Sequence, residues 1–300
     1  MKYKEKIEKL KMERNAIILA HVYQRGEVQD IADFTGDSLD LSKKAVGTDA
    51  EIIVFCGVKF MAETAAILNP DKTVLLPVKN AGCDLADMAT VEELRQKKKE
   101  HPKAVVVSYV NSSAAIKAES DICCTSANAV NVVKSLKGVV LFVPDKNLGS
   151  YVAKKTGRKI GKDIILWDGY CYVHEEDIDV KKIEALRNTY PHAKVMVHPE
   201  CNPKVTMIAD YIGSTSGMLK HARHSETKEF IVGTDDGLIH RLQKENPDKR
   251  FYSLNALCED MKKIYLKDVV KSLEKIQYKI EVPKKISDKA KNALDRMLEI

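Results

Sequence analysis

The segment Trp167-Asp168-Gly169-Tyr170-Cys171-Tyr172-Val173-His174 contains the middle cysteine of a regular series. Cys83 precedes Cys171 by 88 residues, and Cys258 follows it by 87 residues. Each of these three cysteines comes after a short apolar run and before sequence that is compatible with a helix. Equal spacing in equivalent surroundings indicates one cysteine from each of three copies of a structural unit. If the copies surround a pseudo-threefold axis, the three thiolates converge on one central point.

Other landmarks in the chain keep the same period. Two series of three residues recur at steps of 88 and 89 residues. The first is the ends of strand-like runs at His21, Tyr109 and His198, and the second is the hydroxyl residues Ser38, Ser126 and Thr215. Common solenoid repeats are much shorter, about 20–50 residues. A period near 88 therefore predicts a small domain that occurs three times.

The order of elements within one period predicts the fold class. Each copy reads as strand, helix, strand, helix, strand, and this order is typical of a parallel sheet with helices on its faces. We therefore predict an α/β protein of three pseudo-symmetric three-layer αβα units with parallel sheets around a central cavity. The predicted boundaries are 1–89, 90–176 and 177–262 for the three units and 263–300 for a C-terminal helical extension. Residues 259–276 are expected to be helical, and 286–298 to form the last amphipathic helix.

Composition excludes several classes of protein. Of 300 residues, 44% are hydrophobic and 31% charged, which is typical of a soluble globular protein. No apolar run approaches the roughly 20 residues that cross a bilayer, and the first residues lack a signal-peptide core, so we expect a cytoplasmic protein without a membrane partner. The net charge of +6 comes largely from lysines on predicted helix faces. Without interleaved aromatic residues it predicts small anionic substrates rather than nucleic acid. The oligomeric state stays open.

The cysteines themselves suggest a metal. Seven cysteines without an export signal argue against a disulfide framework. Three converging thiolates suit an iron–sulfur cluster with three protein-held irons and one open site, which can act as a Lewis acid. A competing interpretation is zinc, with Cys171 and His174 as two ligands, although zinc ligands usually cluster locally in sequence. The remaining cysteines are expected to be buried apolar residues: Cys56, Cys123, Cys124 and Cys201.

Polar residues follow the predicted strands, where ligands bind in open parallel sheets. Each hydroxyl at a helix N-terminus is by itself more simply explained as an ordinary helix cap, but the three together in register favour a site for phosphate or carboxylate. Histidine, tyrosine and glutamate beside a desolvated metal suit proton transfer. The candidates for these roles are His21, Tyr23, Ser38, Tyr109, Asn111, Ser126, His174, His198, Glu200 and Thr215.

Several segments in order resemble the quinolinate synthase family over nearly the whole chain. The matching segments are His21-Val22-Tyr23-Gln24, Gly36-Asp37-Ser38, Phe60-Met61-Ala62-Glu63, Tyr109-Val110-Asn111-Ser112, Thr125-Ser126-Ala127-Asn128, Pro144-Asp145-Lys146-Asn147-Leu148, Gly169-Tyr170-Cys171-Tyr172-Val173-His174 and His198-Pro199-Glu200-Cys201. The resemblance implies an oxygen-sensitive [4Fe–4S] transferase of de novo NAD (pyridine nucleotide) biosynthesis. Such an enzyme condenses iminoaspartate with dihydroxyacetone phosphate to quinolinate, releasing phosphate and two waters.

The resemblance also implies roles for individual residues. The cluster ligands would be Cys83, Cys171 and Cys258. The acid–base groups would be Tyr23, Tyr109 and Glu200, with His174 beside the cluster. The residues that bind phosphate and carboxylates would be His21, Ser38, Asn111, Ser126, His198, Ser214 and Thr215. Cys258 lacks the neighbouring cysteine pair of some longer members, so disulfide regulation is not expected there.

Two other functions compete with the synthase. A zinc-dependent aldolase or hydratase would recover activity when zinc is added in air. A three-lobed anion-binding protein without catalysis would form no product at all.

Overall fold

The computed structural model describes residues 2–300 and contains three four-stranded parallel sheets. The first sheet consists of β1 (Ala16–His21), β2 (Phe34–Gly36), β3 (Ile52–Cys56) and β4 (Thr73–Leu75). The second consists of β5 (Val105–Tyr109), β6 (Ile122–Cys124), β7 (Val140–Val143) and β8 (Ile164–Leu166). The third consists of β9 (Lys194–Val197), β10 (Tyr211–Ile212), β11 (Glu229–Gly233) and β12 (Arg250–Ser253).

The three sheets have the same topology. Their strand orders are β2-β1-β3-β4, β6-β5-β7-β8 and β10-β9-β11-β12, and every pairing within them is parallel. This repetition confirms the predicted α/β class and its three pseudo-symmetric units. The sheets occupy residues 16–75, 105–166 and 194–253. We propose that the units themselves end at 89, 176 and 262.

One strand of each sheet was missing from the sequence prediction, which gave three strands a unit. The additional strands β2, β6 and β10 are two or three residues long, too short for a periodic pattern to show. They form because the first strand of each unit offers a free edge, as where β1 pairs Leu19 with Phe34.

Helices connect and cover the strands. They are α1 (Lys2–Arg14), α2 (Gly26–Gln29), α3 (Ser38–Val46), α4 (Lys59–Leu68), α5 (Asp84–Asp87), α6 (Val91–Glu100), α7 (Ala114–Ala118), α8 (Ala129–Ser135), α9 (Lys146–Thr156), α10 (Val180–Thr189), α11 (Pro203–Ile208), α12 (Thr215–His224), α13 (Gly237–Glu245), α14 (Leu266–Lys275) and α15 (Lys284–Leu298). A π-helical turn spans Val173–Asp177 and a 3₁₀ turn spans Asp260–Lys262. Within residues 2–300, no helix is both long enough and apolar enough to cross a membrane.

The predicted helix over 259–276 is wrong in its first half. Only Asp260–Lys262 make a 3₁₀ turn before α14 begins at Leu266. The chain bends here because Asp260 accepts a hydrogen bond from the Gly82 N–H, 2.8 Å away, and Lys262 donates to the Tyr23 carbonyl. These contacts hold the segment that follows Cys258 against the first unit.

The C-terminal helices pack on the outside of the units. Helix α14 lies beside α1, and Val269 and Leu273 join Ile7 and Val54 in one buried cluster. Helix α15 contacts α4 of the first unit and α7 and β6 of the second. It thereby joins two units. The carboxyl ends of the strands from all three units are left facing one shared cavity.

Candidate active site

One cavity lies where the three units meet. Every residue proposed from the sequence for the site lines it, with one exception. These lining residues are His21, Tyr23, Ser38, Cys83, Tyr109, Asn111, Ser126, Cys171, His174, His198, Glu200, Thr215 and Cys258. The carboxyl ends of parallel strands point there, as expected for ligand sites in open α/β sheets.

Ser214 is the exception. Its hydroxyl caps α12 by accepting a hydrogen bond from the Gly217 N–H at 3.2 Å, so it faces the helix rather than the cavity. This cap places Thr215 at the first position of the helix, where its side chain does line the cavity. Ser214 therefore supports a neighbouring residue.

The three evenly spaced cysteines open into this cavity. Each follows the last strand of its sheet, β4, β8 or β12, and all three are free and half-buried. Burial raises the pKa of the Cys171 thiol well above its usual value, and Glu200 and the thiols of Cys83 and Cys258 raise it further. Burial also raises the pKa of Cys258, to about 11. The thiols are thus close enough to affect one another, and a metal would have to displace their protons.

The other four cysteines have no access to the cavity. Cys56, Cys123, Cys124 and Cys201 are at most 1% exposed. The prediction that they are buried apolar residues is confirmed.

The cavity contains a second group of residues whose side chains can bind metals. Cys171, His174 and Glu200 place their ligand atoms within 4.8 Å of one another. However, His174 Nδ1 lies 2.9 Å from Glu200 Oε2, and Nε2 lies 2.9 Å from the Thr234 hydroxyl. Nε2 therefore has a hydrogen-bond partner, whereas Nδ1 faces the carboxylate at ion-pair distance without a hydrogen bond, and this arrangement is suited to proton transfer. The donor set that fits a metal is the three thiols.

Glu200 is the buried acceptor at the centre of the polar wall. His174 and His198 approach its Oε2 with their Nδ1 atoms at 2.9 and 3.3 Å, and their rings stack 4.8 Å apart. Asn111 donates to Oε1 at 3.5 Å. Burial alone would raise the Glu200 pKa, but the charges and hydrogen bonds of His198 and His174 hold the pKa well below its usual value. Glu200 is therefore a carboxylate at neutral pH.

The two tyrosines of the site are protonated. Burial raises the pKa of both Tyr23 and Tyr109 well above the usual value, and the Glu200 charge raises each further. They can donate protons or hydrogen bonds but do not ionise at neutral pH.

His21 is a neutral imidazole. Burial lowers its pKa to about 3, with Lys262 and His198 adding to the effect. Its Nδ1 accepts a hydrogen bond from the Tyr23 N–H at 3.2 Å, so the proton of the neutral ring is on Nε2.

Hydroxyl groups and helix N-termini form the anion-binding side of the cavity. Ser38 and Thr215 occupy the first positions of α3 and α12, and Asp37 caps α3. Ser126 differs, since α8 begins only at Ala129. Ser126 instead lies 3.1 Å from His198 Nε2. Backbone N–H groups at two helix starts and three hydroxyls suit a phosphate or carboxylate.

The sequence prediction did not include two candidate functional residues. Thr234 and Asp235 follow β11 directly and are fully buried. Asp235 accepts hydrogen bonds from the Cys258 N–H at 2.7 Å and from Lys262 Nζ at 2.5 Å. Their position could have identified them, because polar residues that directly follow a parallel strand such as β11 lie at the edge of the sheet where ligands bind.

One hydroxyl lies between two carboxyl groups where the first and third units meet. The Ser216 hydroxyl lies 2.6 Å from Asp37 Oδ2 and 2.7 Å from Asp40 Oδ2. A hydroxyl has one proton and can donate to only one carboxylate, so the arrangement is satisfied when one carboxyl keeps its proton. Consistently, burial and then the Asp40 charge raise the Asp37 pKa.

Replacing Asp40 with asparagine is therefore expected to stabilise the protein at pH 8. The variant should gain about 1 kcal/mol in the free energy of unfolding, the net contribution of one hydrogen bond. A raised carboxyl pKa removes stability as the pH rises through it, so the gain should shrink at about pH 4, close to the ordinary aspartate pKa of 3.8. Urea unfolding at both pH values measures this, with the exposed Asp71→Asn as control. A less stable Asp40→Asn variant at pH 8 would contradict the shared proton.

The fold and the site together define a class: a triplicated α/β protein with three free thiols and a buried cluster of histidine and glutamate around one cavity. The family model described as "NadA: Quinolinate synthetase A protein" matches residues 5–299. The chain belongs to this family, as the motifs predicted. The activity class predicted from the sequence, a quinolinate synthase, is therefore confirmed at the level of the family.

Curated relatives agree with the family model over nearly their full lengths. Quinolinate synthase 2 of Methanosarcina acetivorans is 54% identical, covering 99% of this chain and 95% of that protein. The quinolinate synthase of Methanosarcina barkeri is 55% identical, covering 99% and 97%. That of Dehalococcoides mccartyi (strain CBDB1) is also 55% identical, covering 98% and 97%.

Proposed function

We propose that this protein condenses iminoaspartate with dihydroxyacetone phosphate to quinolinate in NAD biosynthesis, releasing phosphate and two waters. A [4Fe–4S] cluster held by Cys83, Cys171 and Cys258 would assist the reaction. The observation that carries the proposal is the convergence of three thiols, one from each unit, on a cavity that also contains Glu200 and its two histidines.

The residues fit such a cluster. The three thiols come from segments of equivalent position, are not paired as disulfides, and lie near enough to raise one another's pKa. Three cysteine ligands leave one iron of a [4Fe–4S] cluster without a protein ligand. When bound, a cluster of this kind supplies a Lewis acid within the cavity.

Proton transfer would be the task of Tyr23, Tyr109, Glu200 and His174. The ionised Glu200 can accept a proton through His174, whose Nδ1 it contacts at 2.9 Å. The protonated tyrosines can donate to a departing or developing oxygen. The site thus holds a base and two acids within one desolvated wall, which the isomerisation, condensation and dehydration steps require.

Substrate binding would rely on hydroxyls, imidazoles and helix N-termini. We assign the anionic ends of the substrates to Ser38, Ser126 and Thr215, together with His21, Asn111 and His198; Ser214 contributes by capping α12. Among residues 2–300, no lysine or arginine side chain lines the cavity. An anion held by partial charges is bound less tightly than one in an ion pair, which suits a phosphate that must leave.

Apolar side chains complete the walls. Val58, Phe60, Met61, Val173 and Met261 line the cavity between the polar groups. They exclude water, which strengthens the hydrogen bonds and charges that act on the substrates.

Anaerobic purification tests the proposal. We expect brown protein with about four irons per chain, as a [4Fe–4S] cluster requires. It should form quinolinate from the two substrates and lose this activity when the iron is chelated. Full activity in an iron-free, colourless preparation would refute the cluster. Activity restored by zinc in air would instead support a zinc-dependent aldolase or hydratase, and no product under any condition would support a non-catalytic anion-binding protein.

A further inference from the structure

Lys117, in helix α7 of the second unit, has a fully buried side chain. Its Nζ donates a hydrogen bond to the Ser112 carbonyl oxygen at 2.5 Å and lies over the face of the Phe60 ring, 5.4 Å from the ring centroid. Phe60 lines the cavity, and Ser112 directly follows Asn111, which also lines it. The ammonium group therefore lies behind the cavity wall, next to one of its aromatic side chains.

The Lys117 ammonium has no ion-pair partner among residues 2–300, since no carboxylate oxygen there lies within 4.0 Å of Nζ. Glu63 of the neighbouring helix α4 has other partners: it accepts a hydrogen bond from the Ala114 N–H at 3.0 Å and lies 3.9 Å from Lys59 Nζ. A buried charge without a counter-ion is costly, because the protein interior solvates it poorly. An anion in the cavity would supply the opposite charge.

The titratable groups around Lys117 leave it mostly protonated at neutral pH. Burial lowers its pKa to about 8, while Cys123 of β6, Glu63 of α4 and Cys83 raise the pKa. The ammonium form therefore prevails at pH 7. Cys83 lines the cavity, so its effect on Lys117 indicates that a charge in the cavity and the buried ammonium influence each other.

Two other lysines with little exposure are placed differently. Lys262 lies 2.5 Å from Asp235 Oδ1, so its charge is balanced by a carboxylate. Lys249 lies over the Phe230 ring, 6.0 Å from the centroid, and donates to a carbonyl oxygen at the end of α12. Neither Lys249 nor Phe230 lines the cavity. Lys249 is therefore a matched control for Lys117.

We propose that Lys117 is a specificity-determining residue, whose buried ammonium group behind Phe60 attracts anions into the cavity and favours doubly charged ligands over singly charged ones. The inference rests on the proposed function and deepens it, since both substrates and the product named there are dianions. The hydroxyls and helix N-termini of the cavity supply the direct contacts. Because Lys117 acts across the wall, its attraction depends on the charge of the ligand and only weakly on the shape of the ligand.

The binding of two pyridine carboxylates tests the proposal. Quinolinate and pyridine-2-carboxylate share the ring nitrogen and its neighbouring carboxylate, but quinolinate carries a second carboxylate, and both compounds are fully ionised above neutral pH. In anaerobically purified protein at pH 7, Lys117→Met should raise the Kd of quinolinate about tenfold and that of pyridine-2-carboxylate about threefold, because Coulomb energy is proportional to ligand charge. Lys249→Met should change neither Kd. Isothermal titration calorimetry measures these affinities.

The parent protein provides a second measurement that needs no variant. The ammonium loses its proton as the pH rises through the Lys117 pKa of about 8, so the affinity of the parent for quinolinate should fall several-fold between pH 7 and about pH 9.5. The affinity for pyridine-2-carboxylate should fall less. Lys117→Met should have a nearly flat profile over the same range. If that variant does not fold, the pH profile of the parent decides alone.

Three results would overturn the inference: equal weakening of both ligands in Lys117→Met, a parent affinity for quinolinate that is constant up to about pH 9.5, or a parent that binds neither ligand. Quinolinate synthesis from the two substrates is assayed separately. A parent that makes no quinolinate but shows the charge-dependent loss of affinity would refute the proposed function and leave the role of Lys117 intact.

Discussion

Cys171→Ala protein is expected to be purified without an intact cluster and without quinolinate synthesis. The thiols of Cys83 and Cys258 both raise the Cys171 pKa, so Cys171 lies close to the other two proposed ligands. Removing it leaves two ligands, too few to hold three irons. A Lewis acid contributes several kcal/mol to a transition state, so activity should fall at least about 10³-fold.

Iron content and product formation under anaerobic conditions measure this effect. Cys56→Ala is the matched control, because Cys56 lies inside β3, is 0% exposed and does not line the cavity. It should lose only about 1 kcal/mol of stability and keep its iron. A Cys171→Ala variant with a full complement of iron and parental activity would show that the three thiols do not form the metal site.

Glu200→Gln should have the second largest effect. The amide has the volume of the carboxylate but lacks its charge, so it cannot stabilise a protonated His174 imidazole, whose Nδ1 lies 2.9 Å from Glu200 Oε2. We expect kcat to fall about 10³-fold, within the range for loss of a general base. Iron content should be unchanged, since Glu200 is not a proposed cluster ligand. Glu175→Gln is the control, because that carboxylate accepts from Asn147 and Asn202 outside the cavity.

We also expect the difference in stability between Glu200→Gln and the parent protein to depend on pH. The folded Glu200 pKa is depressed below the ordinary 4.5, so its stabilising contribution is complete above about pH 4.5 and is lost as the pH falls through the folded pKa. Glu200→Gln should be less stable than the parent by about 2 kcal/mol at pH 7, the cost of a poorly matched buried hydrogen-bond partner. This difference should narrow below pH 4.5 in urea unfolding. A difference that widens in acid would show that Glu200 is not held as a carboxylate.

Much of the site could be predicted because its residues sit at repeated positions. His21, Tyr109 and His198 each end the first strand of a unit or follow it directly, so one period placed all three at the same edge of the fold. The family motifs then added Tyr23 and Glu200, which the repeat alone could not single out. Thr234 was not predicted because a threonine after an apolar strand is common. Its place in the site depends on its contact with Tyr23, which is 211 residues away.

Other differences between the sequence prediction and the structure come from the three-dimensional arrangement of the chain. Ser214 carries the same hydroxyl as its neighbour Thr215, yet only the turn of α12 decides which of them faces the cavity. The helix predicted from residue 259 fails because Asp260 and Lys262 bond to the first unit. Helical periodicity contains no information on such partners.

The sequence by itself determined the triplicated α/β architecture, the strands that end at the site and the three cysteines that share it. These features depend on local patterns and on their spacing, which are present in the unfolded chain. Only the tertiary structure decided that Glu200 lies beside His174 and His198 and is ionised, and that Thr234 contacts the Tyr23 hydroxyl. Those properties arise from burial and from hydrogen bonds between different units, and both exist only after the three units have packed together.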